Sequence, residues 1–125
     1  MKIRIKGNSI RYRLTKTEVD HFCKTGYYEE STSFPEKVLT YALQVKNNIK
    51  DLEAGFNADT ITLYLPENFS KTWADSDRIG FSHSFTLHNG KALMLLLEKD
   101  FTCLDASVED QSDNYPNPMA DKGRP

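Results

Sequence analysis

Apolar and polar residues alternate with a period of two along most of this chain. The alternation is strict in Lys2-Ile3-Arg4-Ile5-Lys6 and again in Ile10-Arg11-Tyr12-Arg13-Leu14. Successive side chains of a strand point to opposite faces, so the two segments read as paired strands joined by a Gly7-Asn8-Ser9 turn. Ile3, Ile5, Ile10, Tyr12 and Leu14 then share one face. Lys2, Arg4, Lys6, Arg11 and Arg13 share the other.

The period lengthens after Leu14. Val19, Phe22 and Cys23 fall at i, i+3 and i+4, which predicts a helix with one apolar stripe. Thr15 and Glu18 fit a capping box at its start, and Gly26 suits a left-handed stop. Tyr27 to Phe34 reads as a strand broken by Pro35. Alternation returns at 38–46, with Leu39, Tyr41, Leu43 and Val45 on one side. It continues at Leu52, Ala54 and Phe56, and at Ile61, Leu63 and Leu65. Pro66 opens a second helix, where its fixed φ suits the first turn. Phe69 and Trp73 lie four apart on one face of it.

Residues 79–87 alternate again and end at Asn89-Gly90. That dipeptide predicts a two-residue type I′ hairpin, which sets Ser84 opposite Leu95, Phe85 opposite Met94 and His88 opposite Lys91. Ala92 to Phe101 is the last strand. Leu93, Leu95, Leu97 and Phe101 form one row and Ala92, Met94 and Leu96 the other, so it reads as central and covered on both sides. From Asp105 to Pro125 the pattern stops. This acidic, proline-containing tail has too little apolar surface to offset its ordering entropy alone.

The halves read alike. Residues 2–46 run strand, strand, helix, strand, strand, and residues 51–101 repeat the order. Ile10 to Thr15 matches Ile61 to Pro66 in its alternating apolar positions, and each segment leads into a helix. The predicted fold is α+β. One domain, 1–104, is built from two ββαββ units that contribute two helices and a mainly antiparallel sheet of about eight strands, open or barrel-like. The tail, 105–125, follows it.

Composition narrows the function classes. The net charge of the 125 residues is −2, which argues against a whole-protein affinity for nucleic acid or an anionic membrane but leaves room for a local basic patch. No apolar run approaches the roughly 20 residues that span a bilayer. The N-terminus has the pattern of a charged strand and no signal-peptide core, so a cytoplasmic location is expected. Cys23 and Cys103 fit reduced thiols.

Two resemblances follow from these residues. The duplicated α+β layout resembles the triphosphate-tunnel proteins, a wide antiparallel barrel with charged side chains inside. That family opens with a Glu-x-Glu-x-Lys strand that binds metal; here the strand is Lys2-Ile3-Arg4-Ile5-Lys6, without the carboxylates. The opening Lys2 to Val19 and the closing Glu109 to Pro118 resemble a family of small bacterial proteins of about this length. This second resemblance implies a bacterial, cytoplasmic origin and carries no assigned activity, ligand or site.

The basic hairpin face is the first candidate for chemistry. Like charges on paired strands repel unless something negative lies opposite. Arg11 and Arg13 can bind anion oxygens bidentately, so one reading is a site for phosphate or another anionic ligand made by Lys2, Arg4, Lys6, Arg11 and Arg13. The other is a solvated face neutralised by Glu29, Glu30 or the tail. RNA binding is disfavoured because the one nearby aromatic, Tyr12, alternates to the opposite face. His83, between Phe81 and Phe85, reads as a hydrogen-bonded core residue or a general base. His21 reads as exposed on the first helix, His88 borders the Asn89-Gly90 turn, and no histidine spacing suggests a metal. Cys23 belongs to a helix core, and Asp100 and Asp105 beside Cys103 disfavour a nucleophile. Asp105, Glu109, Asp110 and Asp113 do not match the spacing of a calcium loop. No motif implies a cofactor, and no catalytic residue is assigned.

These observations point to a binding module rather than an enzyme. Two alternatives stay open. One is a phosphate- or nucleotide-processing barrel enzyme, in which Glu29, Glu30, Glu53 or Glu98 converge on the basic face. The other is a structural protein that associates with its own copies through a sheet edge. The tail segment 105–113 is expected to fold back over the basic hairpin.

Overall fold

Ten elements follow the predicted order in a computed structural model, which describes residues 1–101 and 112–116. They are β1 (Lys2–Lys6), β2 (Ser9–Leu14), α1 (Lys16–Thr25), β3 (Tyr27–Ser33), β4 (Val38–Lys46), β5 (Glu53–Asn57), β6 (Thr60–Pro66), α2 (Glu67–Trp73), β7 (Gly80–Thr86) and β8 (Ala92–Lys99). The strands form two four-stranded sheets, β1-β2-β8-β7 and β3-β4-β6-β5, with no closure into a barrel.

The order of elements repeats in the two halves, and the halves are interleaved. Each sheet takes the first hairpin of one half and the second hairpin of the other. Hairpins pair antiparallel, and the two central joints, β2 with β8 and β4 with β6, are parallel. The registers correspond. Lys2 pairs with Arg13 as Glu53 pairs with Tyr64, and Tyr12 meets Leu97 as Leu63 meets Leu43. α1 carries the chain from one sheet to the other, and α2 carries it back.

The inner rows meet between the sheets. Tyr12, Leu14, Leu43, Leu63, Leu65, Leu95 and Leu97 are buried there with Val19, Phe22 and Trp73 from the helices. Each such leucine contributes about 2 kcal/mol over an exposed one. The space between the sheets is therefore apolar, unlike the charged interior that a tunnel architecture implies. Phe69 stacks on Phe81 at 4.9 Å and Trp73 meets Phe81 edge-on at 5.6 Å, which fixes α2 against β7. α1 starts at a capping box, with the Thr15 N–H donating to Glu18 Oε1 at 2.8 Å. It stops at Gly26, which takes φ 79°.

Two local expectations are overturned. Asn89-Gly90 does not form a two-residue turn. Leu87 pairs with Lys91 around a three-residue loop in which Gly90 takes the left-handed conformation, φ 83°. Asn89 Oδ1 accepts the Lys91 N–H at 3.0 Å, a side-chain bond that competes with the predicted turn. The register moves by one residue. His83 faces Leu95 and Phe85 faces Leu93, which keeps Phe81, His83 and Phe85 on the same side as the leucine row. A two-residue loop would have mixed the rows, so the hydrophobic pattern outweighs the turn signal. Second, β8 is central, but among the described residues no layer covers its outer face. Met94 there is 40% exposed, and the long side chains of β2 are its neighbours.

The described part of the tail, 112–116, meets the start of α1 and the end of β8, and 105–111 of the segment expected to cover the basic hairpin lies outside the described residues. Asp113 accepts a hydrogen bond from Thr17 Oγ1 at 2.9 Å, and its carbonyl accepts the Lys16 N–H at 3.0 Å, both at the start of α1. Tyr115 bridges Phe101 and covers Lys99. Asp105, Glu109, Asp110 and Cys103 lie outside the described residues.

Candidate functional site

The five predicted cations come together on the outer face of the first sheet. Arg4 is directly opposite Arg11, and Lys2 opposite Arg13. Paired cross-strand Cβ atoms are about 5 Å apart, so the charges repel strongly unless neutralised. Among the described residues, neutralisation comes from β8 and the residue that follows it. Glu98 Oε1 lies 3.4 Å from Arg11 Nε and 3.5 Å from Arg13 Nε. The buried carboxylate of Asp100 holds Lys2 Nζ at 3.1 Å. Among the described residues, no carboxylate pairs with Arg4 or Lys6. These two, with Ser9 and Arg11, line a surface depression of about 200 Å³. Lys2, Ile3, Arg4, Arg11 and Arg13 line a second of about 270 Å³.

The other carboxylates considered for this face stand elsewhere. Glu29 and Glu30 are on β3 and Glu53 is on β5, both in the second sheet. Glu30 instead binds the amino group of Met1, together with Glu18. Burial pushes the Glu18 carboxyl up, but the Met1 ammonium, the Thr15 N–H and the Tyr28 hydroxyl outweigh it. The net result holds Glu18 below its ordinary value. Glu53 pairs with Lys46 at 3.1 Å. The equivalents of the cations in the other first hairpin are Glu53, Gly55, Asn57, Thr62 and Tyr64, so the fold does not require positive charge at those positions.

No aromatic residue shares the cationic face among the described residues. Tyr12 is buried on the opposite side and donates to the Ile61 carbonyl at 2.9 Å, a bond between the two sheets. His21 is exposed as predicted, and His88 beside the turn is exposed too. Cys23 is half-buried on α1 and free, and burial pushes its thiol up. Among the described residues no cluster of His, Cys, Asp and Glu could hold a metal, and no helix is long and apolar enough to cross a membrane.

His83 lies at the border of the interior, not within the core. Its Nδ1 is 3.3 Å from Asp51 Oδ2, and the pair lines a cavity between β7 and the segment leading into β5. Sequence reasoning missed Asp51 because residues 46–50 read as a polar connection, and nothing local marks the carboxylate that follows as the partner of a distant strand.

The fold and this face define a class of protein: a two-sheet α+β domain made by exchange of hairpins between two ββαββ halves, with a cationic outer surface on one sheet. Residues 1–119 match the model of DUF7009, a family of unknown function, and the chain belongs to that family. No curated protein and no solved structure matches it.

Proposed function

We propose that the protein is a non-enzymatic binding module whose basic hairpin takes a phosphate-bearing anion. The observation that supports the reading is the Arg4–Arg11 pair. Arg4 and Arg11 are paired across the hairpin, and Glu98 reaches Arg11 and Arg13, while among the described residues no carboxylate pairs with Arg4 or Lys6. Arg4, Lys6 and Ser9 are left to offer donors to oxygens lying in the depression they line with Arg11. A phosphate or polyphosphate satisfies several such donors at once, with charge-assisted bonds stronger than neutral ones.

The experiment is a titration of the whole chain with inorganic triphosphate at low salt, followed by calorimetry. Arg4→Ala and Lys6→Ala are each expected to weaken binding roughly tenfold, as loss of one charge-assisted hydrogen bond does. Unchanged affinity in the double variant, with an unchanged far-ultraviolet spectrum, rules the site out.

A further inference from the structure

The side of the sandwich where β5 and β7 face each other is not filled. Residues 48–54, which bring the chain into β5, line a cavity of about 740 Å³ together with His83 and Phe85 of β7. Small-molecule sites commonly occupy about 300–1,000 Å³. The cavity is separate from the basic face, since β7 residues on the leucine side point inward and the cations point outward.

Its polar groups are oriented. Asp51 Oδ1 accepts the Leu52 N–H at 2.8 Å, and Oδ2 faces His83 Nδ1 at 3.3 Å. The carboxylate is thereby fixed through both oxygens. On the neutral imidazole the proton sits at Nδ1, towards Asp51, and the lone pair sits at Nε2. No hydrogen bond to Nε2 is made among the described residues. The Phe85 ring is stacked with the imidazole, 6.2 Å away and within 24° of parallel. Leu52 and Ala54 add apolar surface. Lys50 and Glu53 bring opposite charges, and Glu53 is already paired with Lys46. That balance favours a neutral ligand. Among the described residues the lining contains no serine, threonine or cysteine.

We propose that this cavity binds a small, flat, neutral molecule with an apolar ring and a hydroxyl group, the ring against Phe85 and the hydroxyl donating to His83 Nε2. Asp51 is the positioning residue that holds the acceptor tautomer.

Phenol and its methyl ether, anisole, are matched probes that differ in the donor. The full chain is titrated with each, and the His83 ring nitrogens and Phe85 ring carbons are followed by nuclear magnetic resonance. Phenol is expected to shift both residues saturably and to bind about fivefold more tightly than anisole, the value of one neutral hydrogen bond. His83→Phe, which keeps a ring at that position, is expected to abolish that preference, and Asp51→Asn to reduce it. Arg4→Ala with Lys6→Ala is expected to leave phenol binding unchanged, so the two sites fail independently. Equal affinity for phenol and anisole, a preference that survives His83→Phe, or no saturable shift at His83 and Phe85 overturns the proposal. The phenol–anisole comparison on the unaltered chain decides the matter even if a variant does not fold.

Discussion

Glu30 and His83 stand at the same position of two equivalent strands, the fourth residue of β3 and the fourth of β7. Each reaches across an open side of the sandwich to the residues that lead into a first hairpin. Glu30 binds the Met1 amino group ahead of β1, and His83 meets Asp51 ahead of β5. The geometry is shared and the chemistry is not. A carboxylate with an ammonium closes one side, while an imidazole with a carboxylate borders a cavity on the other.

Tyr12 joins the sheets through a buried hydrogen bond to the Ile61 carbonyl. Tyr12→Phe keeps the ring and removes the donor. It is expected to destabilise the fold by about 1–2 kcal/mol, the cost of an unmade buried hydrogen bond. Urea unfolding measures it, and a change below about 0.5 kcal/mol would show that the bond between the sheets is dispensable.

Gly80 pairs with Glu98 where β8 passes close by. A Cβ at Gly80 would collide with the Leu97 carbonyl oxygen and come within 2.8 Å of the Glu98 Cα, both backbone atoms that cannot turn aside. Gly80→Ala is expected to cost about 3 kcal/mol, the upper end for overpacking. Gly7→Ala meets open space and only the strain of φ 54°, about 1 kcal/mol. Thermal melts of the two variants should rank in that order.

Glu98 is the acid that tempers the cationic face. Glu98→Gln is expected to raise triphosphate affinity several-fold at low salt and to steepen its decline with added salt, because Arg11 and Arg13 lose their internal partner. Stability should change by less than about 1 kcal/mol, as for other half-exposed pairs. A lower affinity for the anion would show that Glu98 positions the arginines and does not compete for them.

Glu18 gives the fold an acid limb. Its folded value lies below the ordinary 4.5. Its contribution is therefore present above about that pH and is lost as pH falls through the folded value. Glu18→Gln is expected to cost about 1 kcal/mol at neutral pH through the weakened cap, and to flatten the stability profile below pH 4.5. A variant whose acid limb matches the parent's places the sensitivity on other carboxylates.

Much of the fold was legible because its inner rows are strict. Ile10, Tyr12 and Leu14 against Ile61, Leu63 and Leu65 showed both the strands and the repeated order of elements. The exchange of hairpins was not legible, since a period-two pattern says which face is buried and not which strand lies alongside. The Asn89-Gly90 register was misread because a local turn preference was set against a row of leucines whose burial is worth more. The cationic face was visible from alternation alone. Its partial neutralisation was not, because Glu98 reaches Arg11 and Arg13 only through the parallel joint of β2 with β8. Asp51 was invisible for a related reason: its partner, His83, lies on a strand of the other sheet.

The exchanged hairpins carry a last consequence, for descent and not for stability. A chain made of either half alone would leave the inner edges of both its hairpins, those of β2 and β4 or of β6 and β8, without partners. Two copies of such a chain could satisfy each other by the same exchange, as a two-fold dimer with two identical side clefts. Joining the copies into one polypeptide releases the clefts from symmetry. One can then be sealed, as it is by Glu30, while the other is free to diverge around His83.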